Sequence, residues 1–147
     1  MPKFSRYINV ISRCASAYRA DKLDGYGISS AHYFYILAVC RTPGVSQDKL
    51  AQRLYINKSS VARVLQTLEN DGFITRCQNE NDRRETLVYP TEKSEKILPM
   101  IHQAVKSWED FLFDGVDENE RELFMTMLER LSQKAASYVE QEREGEK

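Results

Sequence analysis

The chain has 147 residues, 41 % hydrophobic and 29 % charged, with 21 Lys+Arg against 22 Asp+Glu. That is the size of one compact domain rather than two, with enough apolar material for a core, which excludes a disordered chain. No apolar run approaches the ~18 to 20 residues a bilayer span needs and residues 1–16 lack a signal core, so a cytoplasmic protein without a membrane partner is expected. The near-neutral total hides a split: residues 1–93 carry 14 basic and 9 acidic side chains, and residues 94–147 carry 7 and 13. A basic front suggests an anionic partner there, and the acidic tail a different task. Cys14, Cys40 and Cys77 lie far apart with no CxxC pair and only two histidines in the chain. Neither a disulfide framework nor a zinc site is expected.

Along the chain, Tyr7, Ile8, Ile11, Ala15 and Tyr18 recur at helical spacing, and Gly25 and Gly27 stop that helix. Ser29 or Ser30 is expected to cap a second helix carrying Phe34, Leu37 and Cys40, ended by Pro43-Gly44. Ser46 opens a short helix, Gln47 to Leu54, with Leu50, Ala51 and Leu54 inward. After a break of about three residues, Asn57 caps a further helix whose stripe is Val61, Val64, Leu65 and Leu68, terminated at Asp71-Gly72. Two short helices across a tight turn make a helix-turn-helix unit.

Residues 73–77 and 86–89 are rich in β-branched and aromatic side chains, and Asn79-Glu80-Asn81-Asp82 between them is turn chemistry, so a β-hairpin follows directly. Thr91 with Ser94 or Glu95 starts a long helix through Ile97, Ile101, Val105 and Trp108. Pro99 is tolerated if that helix begins at Ser94 or Glu95 and kinks it otherwise. Asp117 with Glu120 starts a last helix lined by Leu123, Met127, Leu128, Leu131, Ala135 and Tyr138, and the run from Glu140 to Lys147 is expected to fray. The fold class is thus mainly α with a small β-hairpin: a winged helix-turn-helix lobe between N- and C-terminal helices.

A helix that enters the major groove needs small polar groups and donors near its N-terminus, opposite the face that anchors it. With Val61, Val64, Leu65 and Leu68 inward, Asn57, Lys58, Ser59, Ser60, Arg63 and Gln66 are left outward or flanking. Arg63 suits a bidentate guanine contact, and Lys58, Ser59 and Ser60 suit phosphate or base edges. At the hairpin, Asp82-Arg83-Arg84 puts two guanidiniums at a tip, the residue type favoured in narrow minor grooves. Asp82 reads as the group that holds one arginine in place.

The order of elements, with YGISSAHYFYIL, SQDKLAQRLYINKSSVARVLQTLENDGFITR and NDRRETLVYPTEKSEKILP, resembles the MarR family of transcription regulators over nearly the whole chain, with Ser94 where that family usually has glycine. The resemblance implies a single domain over residues 1–147. Its helices at about 1–28 and 95–147 would interlock two chains as a homodimer, and its winged lobe at about 29–94 would bind a palindromic operator on double-stranded DNA. The apolar faces of the first and last helices, too large for one small lobe to cover, agree with a homodimer. The resemblance further implies a repressor released by a small aromatic or lipophilic acid, with Arg13, His32, Tyr33 and Tyr35 as candidate lining residues by position. One branch of the family senses oxidants through an N-terminal cysteine, but here Cys14 and Cys40 are expected to be buried and inert.

No catalytic motif and no cofactor signature is present, so neither an enzyme nor a cofactor is expected. A winged domain serving as a protein-interaction module without specific DNA binding is one competing function, which salt dependence separates, and a cysteine-based redox-sensing regulator is another.

Overall fold

The computed structural model describes residues 3–145, with the side chain of Glu144 excepted. The chain forms two compact units, Met1–Glu109 and Asp110–Lys147. Helix α1 spans Lys3–Lys22 and α2 spans Tyr33–Arg41. Strand β1, Val45–Ser46, leads straight into α3, Gln47–Leu54, and α4 follows at Lys58–Asn70. Strands β2, Ile74–Gln78, and β3, Thr86–Pro90, make the hairpin, then α5 runs over Glu92–Leu112 and α6 over Glu118–Gly145.

The sheet has three strands in the order β1-β3-β2, all antiparallel. The two-residue strand β1 was not foreseen: a dipeptide shows no alternation, and it pairs because Gly44 N donates to Val88 O and brings Val45 opposite Val88. Around this sheet the first unit buries Ile36, Val39, Leu50, Val61, Leu65, Leu68, Phe73, Ile74, Val88 and Ile101, so α3 to α5 give the core the apolar side their spacing announced, whereas α2 buries Tyr35, Ile36 and Val39 and leaves the expected Phe34, Leu37 and Cys40 half-buried, because that helix is apolar on nearly every side. Ser94 is buried with them, and its hydroxyl donates to Phe73 O, which offsets the cost of enclosing a polar group.

Three local expectations need correction. The cap of α2 is His32, without a side-chain bond, because Ser29 Oγ is used by Ala31 N in the preceding turn and Ser30 Oγ pairs with Ser16 Oγ at 3.2 Å. Helix α5 begins at Glu92, two turns before Pro99, so the proline sits inside it and removes the amide that would have reached Glu95 O. Helix α6 persists to Gly145, into the run assigned to fraying, while Glu146 and Lys147 lie outside the described residues.

On α1, only Ala15 of the expected stripe is buried, while Tyr7, Ile8 and Ile11 stay exposed along with Phe4 and Val10. In the second unit Asp117 Oδ1 accepts from Asn119 N at the start of α6, and Phe113 meets the Phe124 ring at 5.8 Å and the Arg121 guanidinium at 4.8 Å. Leu123, Phe124, Met125, Met127, Leu131 and Tyr138 of α6 remain exposed. Among the described residues no helix is long and apolar enough to cross a membrane.

Candidate nucleic-acid interface

Helices α3 and α4 are joined by a turn closed on Tyr55, whose φ of 53° lies in the left-handed region. Tyr55 N donates to Gln52 O and Ile56 N to Ala51 O, the paired bonds that end a helix and redirect the chain. Glycine is the usual occupant of such a position, so nothing in the side chain announced it. Asn57 then caps α4 by accepting from Ser60 N at 2.8 Å and takes a second bond from the Ser59 hydroxyl, also at 2.8 Å. The side chains at the start of α4 are therefore ordered before any ligand arrives.

Arg63 is exposed one turn further on, its Nη2 within 3.4 Å of Ser60 Oγ. Lys58 is tied to Asp48 of α3 at 2.7 Å, but both side chains are more than half exposed, and such pairs are worth little in water. An approaching phosphate can take Lys58 over at small cost. Gln66 is occupied differently: its Oε1 accepts from Arg76 Nη2 at 2.6 Å and its Nε2 donates to Asn70 at 2.9 Å. Arg76, on β2, also donates from Nε and Nη2 to Glu69 Oε2 at 3.1 and 2.8 Å and from Nη1 to Gln47 at 3.4 Å. Its guanidinium holds the Glu69 carboxyl below the usual carboxylate range, through hydrogen bonding first. Neither Arg76 nor Glu69 was singled out in the sequence. Their spacing of seven across a helix end has no local signature, since it needs the register between α4 and β2.

At the hairpin tip Asp82 Oδ1 accepts from Arg84 N at 3.0 Å and from Arg84 Nε at 3.2 Å, while the Arg84 side chain is 92 % exposed. Gln78 Nε2 donates to Arg83 O at 2.6 Å, pinning the backbone there, and the Arg83 side chain has no ion pair among the described residues. One arginine is thus braced and the other loose on the same turn.

The four lining candidates lie in different settings. Arg13 is exposed on α1, while Tyr35 is buried, its hydroxyl pKa raised by desolvation, and its ring stacks on Phe34. Tyr33 lies beneath the Arg19 guanidinium at 4.6 Å, and His32 meets Tyr35 edge-on. A groove of about 370 Å³ lies elsewhere, lined by Tyr18, Lys22 and Tyr26 on one side and Pro99, Met100 and Gln103 of α5 on the other. Cys14, expected to be buried, is exposed on α1, because the apolar side of that helix is itself largely uncovered. Cys40 is half-buried, and burial raises its thiol pKa.

A capped helix behind a left-handed turn, followed by a hairpin with arginines at its tip, is the architecture of a winged helix-turn-helix DNA-binding protein. The MarR family model matches residues 28–86, from the approach to α2 through the hairpin turn. The crystal structure of MarR is 33 % identical and superimposes with a TM-score of 0.83, covering 94 % of this chain and 93 % of that one. A MarR transcriptional regulator from Methanosarcina mazei Go1 is 28 % identical with a TM-score of 0.86, covering 92 % and 97 %. The HTH-type transcriptional regulator BilQ of Clostridium symbiosum is 26 % identical over 136 residues, 92 % of this chain and 94 % of BilQ. The chain belongs to the MarR family and is a DNA-binding transcriptional regulator.

Proposed function

We propose that this protein is a homodimeric repressor that binds a palindromic operator on double-stranded DNA and is released from it by a small aromatic or lipophilic acid. The observation that carries the reading is the placement of Arg63 on α4 and of Arg83 and Arg84 on the hairpin tip, all exposed, within one compact unit. Asn57, Lys58, Ser59, Ser60 and Arg63 face the major groove, and Arg83 or Arg84 enters the minor groove, with Asp82 setting the direction of Arg84. The dimer is built from helices at about 1–28 and 95–147, and the exposed apolar side chains of α1 and α6 support it. The release step draws support from the groove beside Lys22, where an ammonium and two tyrosine rings suit an aromatic carboxylate, and Arg13, His32, Tyr33 and Tyr35 are the alternative lining.

Selection from random duplex DNA, repeated at two salt concentrations, tests the reading. An enriched palindrome whose affinity falls steeply with salt is expected. Arg63→Ala should cost about 1 to 3 kcal/mol and relax the preference at one base step, whereas Arg84→Ala should weaken all duplexes about equally. Salt-insensitive binding, or full affinity in both variants, would overturn it.

A further inference from the structure

Arg76 is the one side chain on the hairpin that touches both helices of the helix-turn-helix unit among the bonds described above. Its backbone amide and its guanidinium bond the two oxygens of Glu69 on α4, Nη2 reaches Gln66 one turn earlier on the same helix, and Nη1 reaches Gln47 at the start of α3. Its side chain is only 17 % exposed, so solvent screens these bonds far less than it screens the tip ion pair. The planar guanidinium fixes the directions of its donors, and a lysine ammonium does not.

On the reading of α4 as the helix that enters the major groove, we propose that Arg76 is a positioning residue for DNA binding. It locks the wing to the recognition helix, and Gln66 belongs to that lock and not to the base-reading face.

The need for a lock follows from the chain path. Along the chain, helix α4 and β2 are joined through the turn at Asp71, Gly72 and Phe73, and shared core packing of Leu65, Leu68, Ile74 and Val88 holds only the base of the hairpin. Arg63 sits on one side of this joint and the tip arginines sit on the other, several residues beyond Arg76. A strand rises about 3.3 Å per residue, so a small rotation of the hairpin at Arg76 displaces the tip by ångströms, more than a hydrogen bond tolerates. Reading the major groove and filling the minor groove together therefore require a fixed angle between α4 and the hairpin. Gln66, with its oxygen taken by Arg76 and its nitrogen by Asn70, contributes to that angle, and Lys58 to Arg63 are left to face the bases.

Arg76→Lys and Gln66→Ala separate this role from plain stability and from charge. Arg76→Lys keeps the positive charge, so the salt dependence should be unchanged, and affinity for an unrelated duplex should stay within about twofold. Affinity for the selected duplex should fall about tenfold or more. Gln66→Ala should select the same bases at every position as the wild type. An equal loss on both duplexes, or no loss on the selected one, would overturn the positioning role, and a changed base preference in Gln66→Ala would return that residue to the reading face. Should Arg76→Lys fail to fold, Gln66→Ala takes its place, since it removes one of the Arg76 bonds: it should weaken the selected duplex more than the unrelated one, and an equal loss or none would overturn the positioning role. Wild-type protein that selects no site at all counts against the DNA-reading assignment itself, and is seen before either variant is made.

Discussion

Glu69 receives the backbone amide of Arg76 on one carboxylate oxygen and the guanidinium on the other, and only the charged form accepts all of these bonds. Its pKa is therefore depressed in the folded chain. The sign follows from linkage: a carboxyl with a folded value below its unfolded one stabilises fully above the unfolded value, and that contribution is lost as pH falls through the folded value. Glu69→Gln should accordingly lower the urea midpoint near neutral pH, and the gap to wild type should close as pH drops below the ordinary carboxylate range. A gap that stays constant with pH would assign the effect to shape instead of charge. About a third of the Glu69 side chain is exposed, so the gap should also narrow in high salt.

Between elements, a close approach lies just before β1. Gly44 has a φ of +79°, and a Cβ placed on it would lie 3.0 Å from the Tyr89 hydroxyl and 3.2 Å from its ring. Gly44→Ala should cost about 1 to 2 kcal/mol for the left-handed backbone alone, plus the displacement of Tyr89. In the double variant with Tyr89→Ala the steric part is removed and the backbone part remains, so thermal melting should show partial recovery. Full recovery would mean that the backbone there adapts freely.

This corner also marks where the sequence stopped being readable. Helices α3, α4 and α5 were legible because each keeps its apolar residues on one side, and α4 additionally carries its own cap and its own stop: Phe73 N to Leu68 O and Gly72 N to Glu69 O close the helix on a glycine, whereas α2, apolar nearly all round, hid which side it buries. The hairpin was legible from its turn. Strand β1 was not, because two residues have no period. Nor was the left-handed backbone of Tyr55 inside the expected turn, since a tyrosine gives no sign of it, nor the Arg76 cluster, since its members come from three elements and meet only in the folded chain. The groove beside Lys22 escaped for the same reason, being assembled from residues about 80 apart in sequence.

At the scale of the molecule, each unit leaves apolar side chains open: Tyr7, Ile8, Val10 and Ile11 on α1, and Leu123, Phe124, Met127 and Leu131 on α6. Burial of such residues yields about 1.5 to 3 kcal/mol apiece, so a homodimer built on them should be lost in a variant carrying Leu123→Glu and Leu131→Glu. Light scattering after size exclusion should give the mass of one chain for that variant and of two for wild type, and operator binding should disappear with the dimer. A variant that retains the mass of two chains would rule out α6 as the dimer contact.

The sheet behaves in the opposite way. Strand β2 lies at its edge, where outward amides ordinarily invite any extended peptide to add another strand. At Arg76, midway along β2, that amide is already given to Glu69 Oε1. A visiting strand would find its central bond taken and a helix side chain in its path. If the chain pairs through its terminal helices as proposed, the β2 edge is blocked at its middle against a second mode of self-association, which helps keep the wing free of accidental fibre growth.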